Sequence, residues 1–346
     1  MNMNLPVITG IGSVTPYGPL GGLISAAPLQ PGAITDWTTS GLRRAFLVEP
    51  FHPAGIVPGV KTRRLDRLSA WALVAASLAL QDAGVDLSVM DRSRIAVFLA
   101  SGLGCVELTE AFYQSAATNG WAGTDPITFP ETLGNSPASH VALFHDLRGP
   151  NVTVSSKNFA AESALLQAAS LLRHGQADLA IVLAGDTLTQ AVYEWYEVAD
   201  LLAPACFNNE PVTSADGFIP GEGMVAMVLE SAIRPAAHPY AALGSGRWAA
   251  GGDARASVRQ LLGDDLPDFT ICTGTGAPCA SSLPARDLVS EDSLIYPAQA
   301  VAAGMGDAGG LLHLLLALSN RPGRGKALLL GRSAHGGYVA LRLELF

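Results

Sequence analysis

Three runs of this chain are apolar with almost no alternation: Arg94 to Ala100 (RIAVFLA), Asp178 to Ala184 (DLAIVLA) and Gly223 to Glu230 (GMVAMVLE). A strand with one wet face alternates polar and apolar residues, so a continuous run predicts a strand covered on both faces. Covering both faces requires helices on both sides of a sheet. The sequence supplies them. Arg67 to Ala83 (RLSAWALVAASLALQDA) carries apolar residues at helical spacing and stops at Gly84. Ala160 to His174 reads as a second helix with Gly175 as its cap, and Gly310 to Leu318 as a third. Further strands are predicted at Leu5 to Thr9, Asn151 to Val154, from Tyr240 to Ala242 onward, and at Phe269 to Cys272, Ala327 to Leu330 and Tyr338 to Leu343. The expectation is a layered α/β fold of two similar halves, 1–230 and 231–346, with Pro204 to Ser214 as the large loop.

Composition removes several function classes. Hydrophobic residues make up 49% of the 346, ample for a core, and charged residues only 15%, against an ordinary ~25%. A formal net charge of -9 has the wrong sign for a nucleic-acid partner. The opening MNMNLPVITGIG has neither a basic segment nor a long apolar run, so no secretory leader is expected. Pro297 to Leu318 is the most membrane-like stretch, but Asp307, His313 and four glycines interrupt it. It reads as a Gly-rich loop feeding a buried helix, without a membrane span. Cys105, Cys206, Cys272 and Cys279 form no CxxC pair. Four scattered thiols predict a reducing, cytoplasmic setting with no disulfide framework and no zinc site.

A set of ordered motifs is more specific. VITGIGSVTPYG (Val7 to Gly18), RRLDRLSAWALVAASLALQDAGVD (Arg63 to Asp86), RGPNVTVSS (Arg148 to Ser156), DGFIPGEGMVAMVLE (Asp216 to Glu230), TGTGAP (Thr273 to Pro278), GDAGGLLHLLLAL (Gly306 to Leu318) and AHGG (Ala334 to Gly337) follow one another nearly end to end. Together they resemble the β-ketoacyl synthases, whose thiolase-like fold stacks layers in the order αβαβα. That family condenses acyl chains with a cysteine at a helix N-terminus, where backbone N–H groups and the helix dipole favour the thiolate.

By this resemblance the reacting groups are gone. The cysteine position falls on Asn158, the first histidine on Thr273, the second on Ala303, and a lysine before the second near Ala298. An amide is no nucleophile, and Ser155, Ser156 and Ser163 lack the base a serine needs. Asn158 reads equally as a helix cap, and Glu162 as a complement to the helix dipole. Lys157, one of three lysines, lies beside the lost nucleophile and reads as reaching solvent or a partner. His335 stands at the pocket mouth in place of the family's gating phenylalanine, where a loop histidine facing water is the plainer reading.

A degenerate site on a retained scaffold resembles the β subunit of type II polyketide ketosynthases, the chain-length factor. The resemblance implies a heterodimer with an active ketosynthase α subunit, paired through the strand Asn151, Val152, Thr153, Val154 and Ser155. It implies an acyl carrier protein partner whose own phosphopantetheine carries the chain, with no cofactor bound here. Lys61, Arg63 and Arg64 match a basic patch for that acidic carrier. In GLGCVELTEAFYQ (Gly102 to Gln114) the tunnel-gating places fall on Val106, Thr109 and Tyr113, one helix face by spacing. A core stripe would have the same spacing. Two other readings stay open: a malonyl-thioester decarboxylase using Asn158 electrostatically, and a homodimeric carrier-protein scaffold.

Overall fold

The structure is a computed structural model. It describes residues 5–24, 32–34, 37, 43–156, 159–202, 219–231, 239–249, 254–263, 266–273, 294–295, 309–320, 323–332 and 337–346. Lys157, Asn158, Ala298, Ala303, His335, Cys206, Cys279 and the loop Pro204 to Ser214 lie outside the described residues.

In chain order the first half contains β1 (Val7–Thr15), β2 (Gly18–Gly21), β3 (Gly32–Ile34), β4 (Arg43–Ala45), α1 (Pro53–Ile56), α2 (Arg67–Asp82), β5 (Ile95–Ala100), α3 (Val106–Asn119), α4 (Ser136–Phe144), β6 (Asn151–Val154), α5 (Ala160–Arg173), β7 (Leu179–Asp186), α6 (Gln190–Val198) and β8 (Gly223–Glu230). The second contains β9 (Ala241–Ala249), α7 (Ala254–Leu262), β10 (Phe269–Thr273), β11 (Leu294–Ile295), α8 (Gly310–Asn320), β12 (Gly325–Arg332) and β13 (Tyr338–Leu345).

The halves repeat one plan. The strand order is β6-β5-β7-β8-β1 in the first and β11-β10-β12-β13-β9 in the second. In the first, β5 is parallel to β6 and β7, β7 is antiparallel to β8, and β8 to β1. The second repeats every one of those relations. The first strands of the two halves join them, with Val7 opposite Ala242 and Ile8 opposite Ala241.

Side-chain alternation along the buried strands sorts the core into layers. Ile95, Val97 and Leu99 of β5 pack with Leu73, Ala76 and Leu80 of α2. Ala96, Phe98 and Ala100 point the other way, into a cluster with α5 and α8. That same cluster takes Ile271, Leu329 and Leu341 from the second half, so α5 and α8 form a middle layer between the half-sheets. α7 covers the far side, with Val258 and Leu262 against Cys272, Leu328 and Leu330. The order helix, sheet, helix, sheet, helix is the predicted one.

One predicted element was too short: β1 continues past Thr9 to Thr15, while β9 runs on from Ala242 to Ala249 as expected. Glycines hid the extension of β1. A Cβ on Gly10 would stand 2.2 Å from the Ala79 carbonyl oxygen, and one on Gly12 2.1 Å from that of Ala75. Bare backbone lets α2 lie directly on the strand.

Candidate functional site

The chain leaves β6 and enters α5 at the place the family reserves for its thiol. The N-cap is Phe159, with φ 58° and no side-chain cap. Asn158, which the sequence offers as a helix cap, lies outside the described residues. A bulky residue in the left-handed region is strained by on the order of 1–3 kcal/mol, and it persists here with its ring packed in the core.

Glu162 stands in the first turn of α5, as the dipole reading expects, and it is also buried, at 3% exposure, with Thr273 Oγ1 donating a hydrogen bond to its Oε1. Burial pushes the Glu162 carboxyl up from its ordinary range, and the Thr273 hydrogen bond only partly opposes that. Thr273, buried at the end of β10, is the position matched to the first family histidine. The space around the pair is closed. A Cβ on Gly310 would meet the Glu162 carboxyl carbon at 2.6 Å, and one on Gly331 would meet Thr273 Oγ1 at 2.7 Å and the Phe159 ring at 3.0 Å. One helical turn past Gly310 is buried His313, pushed down to about 4 by burial, against a hydrogen bond at the Gly309 backbone. Its Nδ1 has no hydrogen-bond partner among the described residues.

The predicted gate lies elsewhere, on a helix with a different character. No residue of α3 is buried. Val106 packs beside Ala45, Leu188, Val192 and Tyr193. Thr109 Oγ1 donates to the Cys105 carbonyl at 2.7 Å, with the Thr132 carbonyl at 3.2 Å. Tyr113 is 58% exposed and stands edge-on to Phe112 and Trp121, at 6.0 and 6.2 Å between ring centroids. Phe112 in turn meets Phe129 at 5.8 Å. The three residues share a helical face by spacing but meet three different neighbours, and none is core. Trp121 and Phe129 are exposed as well, so an aromatic group lies open beside this helix.

The strand expected to pair with a partner is at the sheet edge. Among the described residues β6 pairs only with β5. Val152 and Val154 rest on the core, while Asn151 and Ser155 are exposed, and Asn151 Nδ2 donates to the Ala138 carbonyl of α4 at 3.2 Å. Lys61, Arg63 and Arg64 are exposed just before α2. Cys105, at the α3 N-cap, is no nucleophile: burial first, then the Asp66 charge, pushes its thiol up to about 12. Among the described residues no group of metal-ligating side chains forms and no helix is long and apolar enough to cross a membrane.

Sequence reasoning missed a set of buried acids around the root of α3. Asp66 Oδ1 accepts from Leu68 N at 2.8 Å, capping α2, and its Oδ2 accepts from Leu108 N at 3.1 Å, in the first turn of α3. Glu222 accepts from Val48 N and Leu188 N and pairs with Arg67 at 3.0 Å. Arg67 also reaches Glu107 of α3 at 3.0 Å and stacks over Trp71. Asp186, at the end of β7, accepts from Ser101 Oγ at 2.5 Å and from Leu103 N at 2.9 Å and Gly102 N at 3.2 Å. A signal existed: Asp186 and Glu222 are acids at the ends of otherwise apolar strands, where only a hydrogen-bonded role tolerates burial.

Comparison with known proteins agrees with the motifs. The family described as "Beta-ketoacyl synthase, N-terminal domain" matches residues 38–233. The 3-oxoacyl-[acyl-carrier-protein] synthase 2 of Vibrio cholerae is 28% identical over 243 residues, 66% of this chain and 58% of that one. Nodulation protein E of Rhizobium leguminosarum bv. trifolii is 30% identical over 65% of this chain and 57% of its own. The match thus spans under two thirds of these curated relatives. Among solved structures, the ishigamide ketosynthase/chain length factor superposes with a TM-score of 0.71 at 24% identity, over 99% of both chains. A type II polyketide synthase acyl-carrier protein in complex with its ketosynthase bound to the hexaketide gives 0.75 at 15%, over 99% of this chain and 100% of that one. Likeness at these identities shows the fold.

Proposed function

The chain belongs to the β-ketoacyl synthase family, and we propose that it is a non-catalytic member, a chain-length factor that pairs with an active ketosynthase and walls the tunnel in which an acyl-carrier-protein-bound polyketide or polyene chain grows. One observation carries this reading. At the position matched to the first catalytic histidine, the Thr273 hydroxyl is spent on a buried Glu162 carboxyl in a space closed by Gly310 and Gly331. A hydroxyl bonded to a buried carboxyl supplies no imidazole to generate a thiolate or to receive a substrate proton.

The exposed parts support the same reading. Among the described residues β6 pairs on one edge only, leaving the other for a second sheet, and Tyr113 of α3 is exposed beside exposed Trp121 and Phe129. A wall of that kind acts by excluded volume: once the chain end meets a packed ring, further extension must displace it. The carrier protein, by this reading, meets Lys61, Arg63 and Arg64 only weakly, since productive docking belongs to the partner.

Co-expression with the ketosynthase encoded beside it tests the reading. A one-to-one complex is expected. In that complex Tyr113→Ala lengthens the product by at least one extension unit and Val106→Phe shortens it, with condensation retained, as read by product mass. A stable homodimer that ignores the ketosynthase, or an isolated chain that decarboxylates a malonyl thioester, overturns it.

A further inference from the structure

α3 has no buried residue; half-buried contacts such as Val106 on Leu188 and Val192 and Thr189 Oγ1 donating to Glu110 at 2.7 Å hold its side, and its root fixes where it leaves the sheet. The segment Ser101 to Cys105 turns the chain from β5 into α3, with Gly104 at φ 63°. Four donors of that turn converge on one side chain, directly or through Ser101. Asp186 Oδ1 accepts from Ser101 Oγ and from Leu103 N, its Oδ2 accepts from Gly102 N, and Ser101 Oγ itself accepts from Gly104 N at 2.8 Å. Four consecutive residues are thereby tied to the last residue of β7, a strand buried along its whole length. Asp186 is 4% exposed, so it has no solvent to substitute for these partners. The residues that donate to it, Ser101, Gly102 and Leu103, all come before α3 begins.

We propose that Asp186 is a positioning residue that sets the angle and depth of α3, and through it the length at which chain growth stops. The chain-length part rests on the function proposed above; the mechanical part does not. Burial raises the Asp186 carboxyl to about 6, against the Ser101 and backbone hydrogen bonds that lower it, so at neutral pH the acceptor form that holds the turn prevails.

Asp186→Asn keeps the volume and one acceptor oxygen but cannot accept from both sides. Ser101→Ala removes the hydroxyl that links Asp186 to Gly104 N. In the complex with the ketosynthase, both are expected to cut the native-length product to under half of the total, with longer chains appearing, while total condensation falls less than threefold. In the chain alone, both are expected to speed amide hydrogen exchange at 106–119 by tenfold or more without a matching change in α2. If Asp186→Asn does not fold, Ser101→Ala carries the test. Unchanged exchange in α3 overturns the proposal. So does faster exchange with native product length, provided Tyr113→Ala in the same complex does change the length. If Tyr113→Ala leaves the length unchanged too, the chain-length reading is what fails, and the exchange result alone decides the role of Asp186.

Discussion

The Glu162–Thr273 pair and helix α3 are the two places where the family's chemistry would act, and they are built in opposite ways. The first is closed, with two glycines so near the polar pair that neither tolerates a Cβ. The second is open, with no buried residue along fourteen. Packing on all sides constrains the first, whereas the second is held along one side and open on the other.

The contrast breaks most sharply at Gly310. Gly310→Val drives methyl groups into the Glu162 carboxyl, and overpacking there is expected to cost ~3 kcal/mol or more, seen as loss of folded protein or a Tm fall of several degrees. Next comes acidification. His313 is held neutral in the fold, at about 4, while an unfolded histidine titrates near 6.5. Its contribution is therefore full above pH 6.5 and lost as the pH falls toward 4. His313→Leu should flatten that loss by up to ~3 kcal/mol, measured by urea unfolding across the range. Asp186, raised to about 6, has the opposite slope and stays in the variant. Smaller still, Thr273→Val removes the donor to a buried carboxyl, about 1–3 kcal/mol, whereas Glu162→Gln keeps an acceptor for the hydroxyl and should cost under ~1 kcal/mol. A larger cost for Gln would mean that the buried group is ionised. At the far end, Tyr113→Ser or Trp121→Ser in the isolated chain should change stability by roughly 0.5 kcal/mol at most. A large effect there would mean that α3 is core after all.

The layers were legible because burial on both faces writes itself as unbroken apolar runs: RIAVFLA and DLAIVLA name β5 and β7 within a residue or two. β1 was half legible, since Gly10 and Gly12 read as loop until α2 is laid against them. At the site, the first-turn position of Glu162 was legible but its bond to Thr273 was not, because a carboxyl in a first helical turn looks the same from sequence whether it meets water or Thr273. The three gate positions obeyed the spacing rule, yet spacing says nothing of what lies opposite. Asp186 was legible as an acid closing an apolar strand, but its partners were not, because they are mostly backbone amides, which every sequence has.

The pairing of β1 has a consequence in time. Beyond its local hairpin partner β2, its neighbours in the sheet are β8 and β9, with Val7 opposite both Glu230 and Ala242. During synthesis at about 5–20 residues per second, the first strand therefore waits on the order of 10–50 s for β8 to leave the ribosome. Through that interval β5, β6 and β7 can already assemble around α5, but the Gly-rich face that receives α2 has no sheet to belong to. The amino-terminal segment is thus the last piece of the first half to find its place, and for that period it is the segment most in need of a chaperone.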